Sequence, residues 1–283
     1  MKIGVALSGG GIRGIAHAGV LKALKENNIK VDIIGGTSAG GMVASLYAMG
    51  FEPEQIHELF KKYAKEIIGT KHLPLISKLL HFSFSKKITL TGFNNGEAIE
   101  KIYDKVAKEQ GIEKISQIQM PLVIPTVDIM NPKEYIFTNN IPINAEDKSK
   151  YIRDITVGKA VRASSSFPAV FMPCRIKDYA FMDGVLDNVP VQEVRNQGAE
   201  RVLAVKFDAD QIEKDSNIMD IAMKTIDIMG SKISEEGLKT SDYILNVYTD
   251  KVGLLDIEKL DKCYEYGYQS VIKNLDAIKK ALG

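Results

Sequence analysis

The chain has 283 residues, 45% hydrophobic and 26% charged, and 37 Lys and Arg against 36 Asp and Glu leave a formal net charge of +1. That apolar content excludes a disordered chain, and the charge balance gives no overall attraction to nucleic acid. Two cysteines, Cys174 and Cys263, are too few for a disulfide framework and lack zinc-ligand spacing, so they are expected as small buried residues in a reducing compartment.

In chain order, the apolar run 3–7 stops at Ser8-Gly9-Gly10-Gly11, too short for a signal peptide, and reads as a buried strand. Over 15–26, Ile15, Val20, Leu21 and Leu24 have helical spacing. Residues 31–34 read as a second strand and 42–49 as a helix, and Pro53 suits the start of another helix reaching about 66. The window 33–51 is 19 residues without a charge, long enough for a membrane span. Its Gly35, Gly36, Gly40, Gly41 and Gly50, with Thr37, Ser38 and Ser45, make it a strand, a tight turn and a helix instead. Farther on, 95–110 reads as a helix, and 121–127 and 134–138 as strands around Asn131-Pro132. A helix over 157–163 ends before Ser164-Ser165-Ser166, which read as turn or cap residues. Strands are expected at 179–182, 201–207 and 243–247, and helices at 217–238 and 258–281. This alternation predicts an α/β fold with a mainly parallel central sheet flanked by helices. No composition break or repeat divides residues 1–283, which read as one domain. With no signal or spanning segment, the expectation is a soluble, cytoplasmic protein.

Residues 60–90 stand apart. Lys61, Lys62, Lys65, Lys71, Lys78, Lys86 and Lys87 face a single acid, Glu66, and apolar residues such as Leu73, Leu79 and Phe82 lie between them. That mixture suits peripheral contact with an anionic bilayer, and equally a lid over a site or a solvated helix face.

Two glycine-rich turns carry the chemistry. Gly9, Gly10, Gly11 and Gly14 follow the first strand and open a helix, an arrangement that turns the backbone sharply and presents N–H groups to a phosphate or an oxyanion. The spacing also fits the dinucleotide fingerprint. That reading asks for an acid at the far end of the second strand, and Asp32 stands at its start. Gly36-Thr37-Ser38-Ala39-Gly40 has the pattern of a nucleophile elbow, in which a strained strand-to-helix turn projects the serine hydroxyl. Taken alone, it is also a glycine-rich helix cap.

A serine nucleophile needs a base. Of the four histidines, His17 reads as a helix residue packed near the first turn, and His57, His72 and His81 as surface residues. No histidine follows His81, and Glu52, Glu54, Glu58 and Glu66 read as exposed helix positions, which argues against a triad in the Ser, Asp/Glu, His order. Asp183, between Met182 and Gly184 at a strand end, is the better candidate, because partial burial raises a carboxyl pKa towards that of a useful base. An Asp-Gly turn is the plainer alternative.

Gly9-Gly10-Gly11-Ile12-Arg13-Gly14, Gly36-Thr37-Ser38-Ala39-Gly40 and Asp183-Gly184, in this order, resemble the three signature motifs of the patatin-like phospholipases. The likeness runs on through His17 to Leu21, through Ala160 to Ser164 with Phe167-Pro168, and through Asn188-Val189-Pro190, covering most of 3–207. Beyond that, the C-terminal part with Val252 to Asp256 is similar to small bacterial members of the esterase type. The resemblance implies a three-layer α/β/α fold and a Ser–Asp dyad, with Ser38 as nucleophile and Asp183 as base. It implies an oxyanion hole of N–H groups from Gly10, Gly11 and Ile12, with Arg13 holding that turn. It also implies hydrolysis of lipid esters without calcium, metal or cofactor. Acyl transfer by the same dyad, or a non-catalytic nucleotide-binding or scaffold role on this fold, are the alternatives. Val185 departs from the family, which usually has Gly or Ala there, and is expected to narrow the pocket or shift its loop. Phe167, Val170, Phe171 and Met172 are candidate acyl-pocket residues.

Overall fold

The computed structural model describes residues 1–68, 94–168, 170–207, 218–250, 252–253 and 256–283. Strand β1 (Ile3–Leu7) leads through a 3-10 turn (Gly11–Ile15) into α1 (Ala16–Glu26), and β2 (Ile33–Gly36) into α2 (Ala39–Ala48). There follow α3 (Pro53–Ile68), α4 (Glu97–Glu109), β3 (Leu122–Asp128), β4 (Lys133–Thr138), β5 (Tyr151–Ile152) and α5 (Val157–Ser164). Next come β6 (Cys174–Ile176), β7 (Tyr179–Asp183), α6 (Val191–Asn196) and β8 (Arg201–Phe207). The chain ends with α7 (Ile218–Ile233), α8 (Glu235–Leu238), β9 (Tyr243–Val247), α9 (Leu260–Lys273) and α10 (Leu275–Leu282).

These strands form one sheet in the order β5-β4-β3-β2-β1-β8-β9, with β7 on β3 and β6 on β7. From β3 to β9 every neighbour is parallel, while β4 and β7 run antiparallel to β3. Parallel strands covered on both faces are apolar along their length, as Val5-Ala6-Leu7 and Val202 to Val205 are, all fully buried. Alternate residues serve opposite layers. Val5, Leu7, Leu203 and Val205 join α1, α2 and α9 in the larger cluster. Ala6, Ile33, Val202 and Ala204 pack with Val191 and Val194 of α6 on the other face. The mainly parallel sheet between helical layers follows from this alternation.

Helices α1 and α9 cross with their backbones in contact. A Cβ at Gly19 would lie 1.9 Å from the Tyr264 carbonyl oxygen, and one at Gly267 would lie 1.8 Å from that of Ala16. A side chain on either glycine would force the helices apart. The crossing anchors α1, and with it the glycine-rich turn that precedes it.

Strands 3–7, 201–207 and 243–247 have the expected bounds. The expected helix over 217–238 is divided between α7 and α8, and that over 258–281 between α9 and α10, broken at Asn274. Its side chain accepts from Tyr243 Oη at 3.1 Å and donates to Ser270 O at 2.8 Å. Strands β5 and β6 and helix α6 are additions to the sequence reading. Cys174 and Cys263 are buried and unpaired as expected. Among the described residues no helix is long and apolar enough to cross a membrane, and the window 33–51 holds β2 and α2. Most of the basic segment, with Lys71, Lys78, Lys86, Lys87, His72 and His81, lies outside the described residues.

Candidate active site

Leu7 pairs with Gly36 across the parallel β1–β2 ladder, so the glycine-rich turn and the Ser38 turn leave the same edge of the sheet side by side. Such carboxyl-terminal strand ends are where open α/β sheets bind ligands. Asp32, proposed for the nucleotide reading, lies at the opposite end of β2, where it accepts from Ile3 N–H at 3.0 Å.

At the elbow, Ser38 has φ 53° and ψ −122°, a strained conformation for a residue with a side chain. Surrounding backbone enforces it. A Cβ on Gly40 would lie 2.4 Å from the Leu7 carbonyl oxygen, and one on Gly36 2.3 Å from the Gly40 carbonyl carbon. The turn therefore closes only with glycines at both positions. Ser38 N–H donates to Ser164 Oγ at 3.0 Å.

Asp183 ends β7, paired with Thr126 of β3. The β2–β3 register sets Ile34 beside Leu122, and counted onward it brings position 38 level with Thr126. The sheet thereby delivers an acid to the elbow from the side opposite the glycine turn. Asp183 is 3% exposed, and burial pushes its carboxyl up to about 7 against the lowering effect of the hydrogen bond that the Ser38 hydroxyl donates to it. Its Oδ2 is buried with no hydrogen-bond partner among the described residues. A carboxyl in that state takes up a proton near neutral pH.

The glycine turn is held from within. Arg13 is buried, donates from Nε to Gly10 O at 3.3 Å, and lies 5.3 Å from the Phe207 ring centre. His17, fully buried as part of α1, sets Nε2 2.8 Å from Ser8 O. Burial lowers its pKa to about 4, opposed by that backbone bond, so it is neutral at pH 7 and donates through Nε2. The first N–H groups of a helical turn have no intrahelical acceptor, and the turn opening at Gly11 offers them beside Ser38. Gly9, Gly10, Gly11, Ile12, Ser38 and Asp183 line one cavity.

The family model for patatin-like phospholipases matches residues 5–195, a span that holds all of these residues. The chain belongs to the patatin-like phospholipase family.

Among its relatives, the lysophospholipase NTE1 of Lodderomyces elongisporus is 26% identical over 94% of this chain and 18% of its own length. Patatin-like phospholipase domain-containing protein 6 of Mus musculus is 25% identical over 99% of this chain and 18% of its own. The chain thus spans less than a fifth of these relatives. Two solved structures share the fold. VipD of Legionella pneumophila has a TM-score of 0.51 and 15% identity over 98% of this chain and 67% of that one. ExoU, in its complex with SpcU from Pseudomonas aeruginosa, has a TM-score of 0.51 and 20% identity over 100% of this chain and 52% of that one.

Relative to the patatin-like pattern, Val185 is among the cavity-lining residues, and a Cβ on Gly230 of α7 would lie 2.6 Å from Val185 Cγ2, so α7 packs closely on this loop. The apolar wall is Met42, Phe60, Ala64, Ile67 and Ile99, with Phe167, Val170 and Phe171 as expected. Met172 is a correction: it is 37% exposed and points away from the cavity, because Phe171 pairs with Asn94 and the next side chain faces outward. A second correction concerns His57, expected at the surface. Its side chain is only 15% exposed, stacked 4.2 Å from Tyr264, with Nε2 2.8 Å from Asp261 Oδ1, because α3 packs on α9 there.

Sequence reasoning passed over three residues at this patatin-like site. Ser164, read as a turn or cap residue, ends α5 and bonds the elbow; Ser166 supplies the carbonyl that accepts Asp183 N–H at 3.1 Å. Asn188 accepts from Gly9 N–H through Oδ1 at 3.0 Å. The only signal for Ser164 and Asn188 was their place inside the family-like stretches, and Ser166 carried none.

Proposed function

We propose that this protein hydrolyses carboxylic esters of lipids, with Ser38 as nucleophile and Asp183 as general base. The observation that carries the reading is the buried Asp183 carboxyl bonded to the Ser38 hydroxyl in one cavity with the glycine turn. Asp183 takes the hydroxyl proton as Ser38 Oγ attacks the ester carbonyl carbon. The oxyanion accepts from N–H groups of Gly10, Gly11 and Ile12, each worth about 3–4 kcal/mol at comparable sites. Collapse of the intermediate breaks the ester C–O bond, and Asp183 returns the proton to the departing alcohol. A water, deprotonated by Asp183, then attacks the acyl-serine carbonyl, and Asp183 returns that proton to the departing Ser38 Oγ, freeing the fatty acid and restoring the serine. Neither step calls for calcium.

The apolar wall of α3, α4, Phe167, Val170 and Phe171 suits an acyl chain, and the relative from Lodderomyces elongisporus is named a lysophospholipase, which favours single-chain lipid esters as substrates. On α3, Lys61, Lys62 and Lys65 are exposed while Phe60, Ala64 and Ile67 face the cavity, an arrangement that supports substrate uptake from an anionic lipid surface.

The test is turnover of short aryl esters and of lysophospholipid, free and in anionic or neutral vesicles. Ser38→Ala and Asp183→Asn are expected to lose at least about 1,000-fold in kcat while remaining folded by circular dichroism. Wild-type-like turnover in either variant would sink the assignment. Equal vesicle rates would remove the surface component alone.

A further inference from the structure

The loop that follows Asp183 is bonded to both glycine turns. Thr37 Oγ1 donates to Asp187 O at 2.6 Å, tying the loop to the residue before Ser38. One position on, Gly9 N–H meets two acceptors of Asn188, Oδ1 at 3.0 Å and the main-chain oxygen at 3.3 Å. His17 and Arg13 hold the Ser8 and Gly10 carbonyls from within the same stretch of chain. Asn188 instead reaches the turn from the segment that carries Asp183, five positions back. Because each peptide unit is planar, fixing the Gly9 amide restricts the direction of the units that follow, and these carry the N–H groups of Gly10 and Gly11. The same bond withdraws Gly9 N–H from the cavity, so the available donors begin at Gly10.

We propose that Asn188 is a positioning residue that aligns the N–H groups of the glycine turn with the base and nucleophile. This rests on the Ser38–Asp183 reading above. Asn188 touches no reacting atom in this role. Its side chain sets the angle between an oxyanion donor and the loop of the base, so its loss should weaken transition-state stabilisation and leave ground-state binding in place.

The experiment compares Asn188→Ala and Asn188→Leu, which both lack the acceptor but differ in bulk, on a soluble aryl ester across pH. The expected result is a kcat about 10- to 100-fold lower in both, KM within about threefold of wild type, and an unmoved acid limb of the pH profile. Hydrogen exchange of the peptide covering residues 8–12 should be faster in both. If the leucine variant fails to fold, the alanine variant decides. Full kcat in a folded variant, a loss carried by KM alone, or unchanged exchange at 8–12 overturns the proposal. Ser38→Ala, run alongside, separates the two levels. Surviving turnover there overturns the dyad reading, while the exchange result still judges Asn188.

Discussion

Asp183 and His17 sit within one site and are shifted in opposite directions by the same burial, the carboxyl up to about 7 and the imidazole down to about 4. Burial disfavours the charged form of each, and that separates their roles: the acid gains basicity and the histidine, neutral at pH 7, becomes a fixed donor. If Asp183 must be ionised to accept the Ser38 proton, kcat/KM rises with pH through a limb centred at about 7. A profile flat from pH 5 to 9 would contradict this. The stability sign follows from linkage. The folded pKa lies above the unfolded value of 3.8, so between them the folded state binds more protons and wild type loses stability as pH rises towards about 7. Asp183→Asn lacks that slope and should unfold at a higher temperature than wild type at pH 8, with the difference closing near pH 4. Ser38 was legible because its glycines lie two residues to either side, whereas Ser164 and Asn188 act across 126 and 179 positions of chain. No local pattern encodes such partners.

Among the elements, the crossing of α1 and α9 sets the tightest tolerance. Gly267→Ala places a methyl carbon against the Ala16 carbonyl, where neither helix can yield without moving its neighbours. A loss of about 1–3 kcal/mol or more is expected, read as a lower urea midpoint, together with reduced esterase rate because α1 carries the glycine turn. Gly237→Ala, where a Cβ meets nothing within 4 Å, is the control and should leave the midpoint unchanged or raised. Element boundaries were legible where an apolar-rich run meets polar residues. Strands 201–207 and 243–247 are apolar-rich runs bounded by polar residues, and the sheet keeps those limits. The two-residue β5, three-residue β6 and six-residue α6 are too short for any periodicity to register. They form because β4, β7 and the far face of the sheet give them partners.

At the scale of the whole molecule, the family match ends at 195, yet the main hydrophobic cluster joins Val5 and Ile15 to Cys263, Val271 and Leu282. We propose that residues 1–283 unfold as one unit. The two cysteines report on it, since Cys174 lies within the matched region and Cys263 beyond it, both buried. Their reactivities towards a thiol reagent should rise at the same denaturant midpoint; earlier exposure of Cys263 would mean a separately melting C-terminal part. The interlocked turns have a consequence of another kind. Gly36, Gly40, Leu7 and Ser8 fix the relative placement of Ser38 and the glycine turn through main-chain contacts, while the cavity wall is built from α3, α4, Phe167, Val170 and Phe171. On the proposed mechanism, reactivity and substrate preference are thus written in separable parts of the chain. Lineages of this fold are free to exchange wall residues for new lipids without retuning the chemistry, and a directed-evolution library confined to Met42, Phe60, Ala64, Ile67, Ile99 and Phe171 would explore specificity at little risk to the reaction.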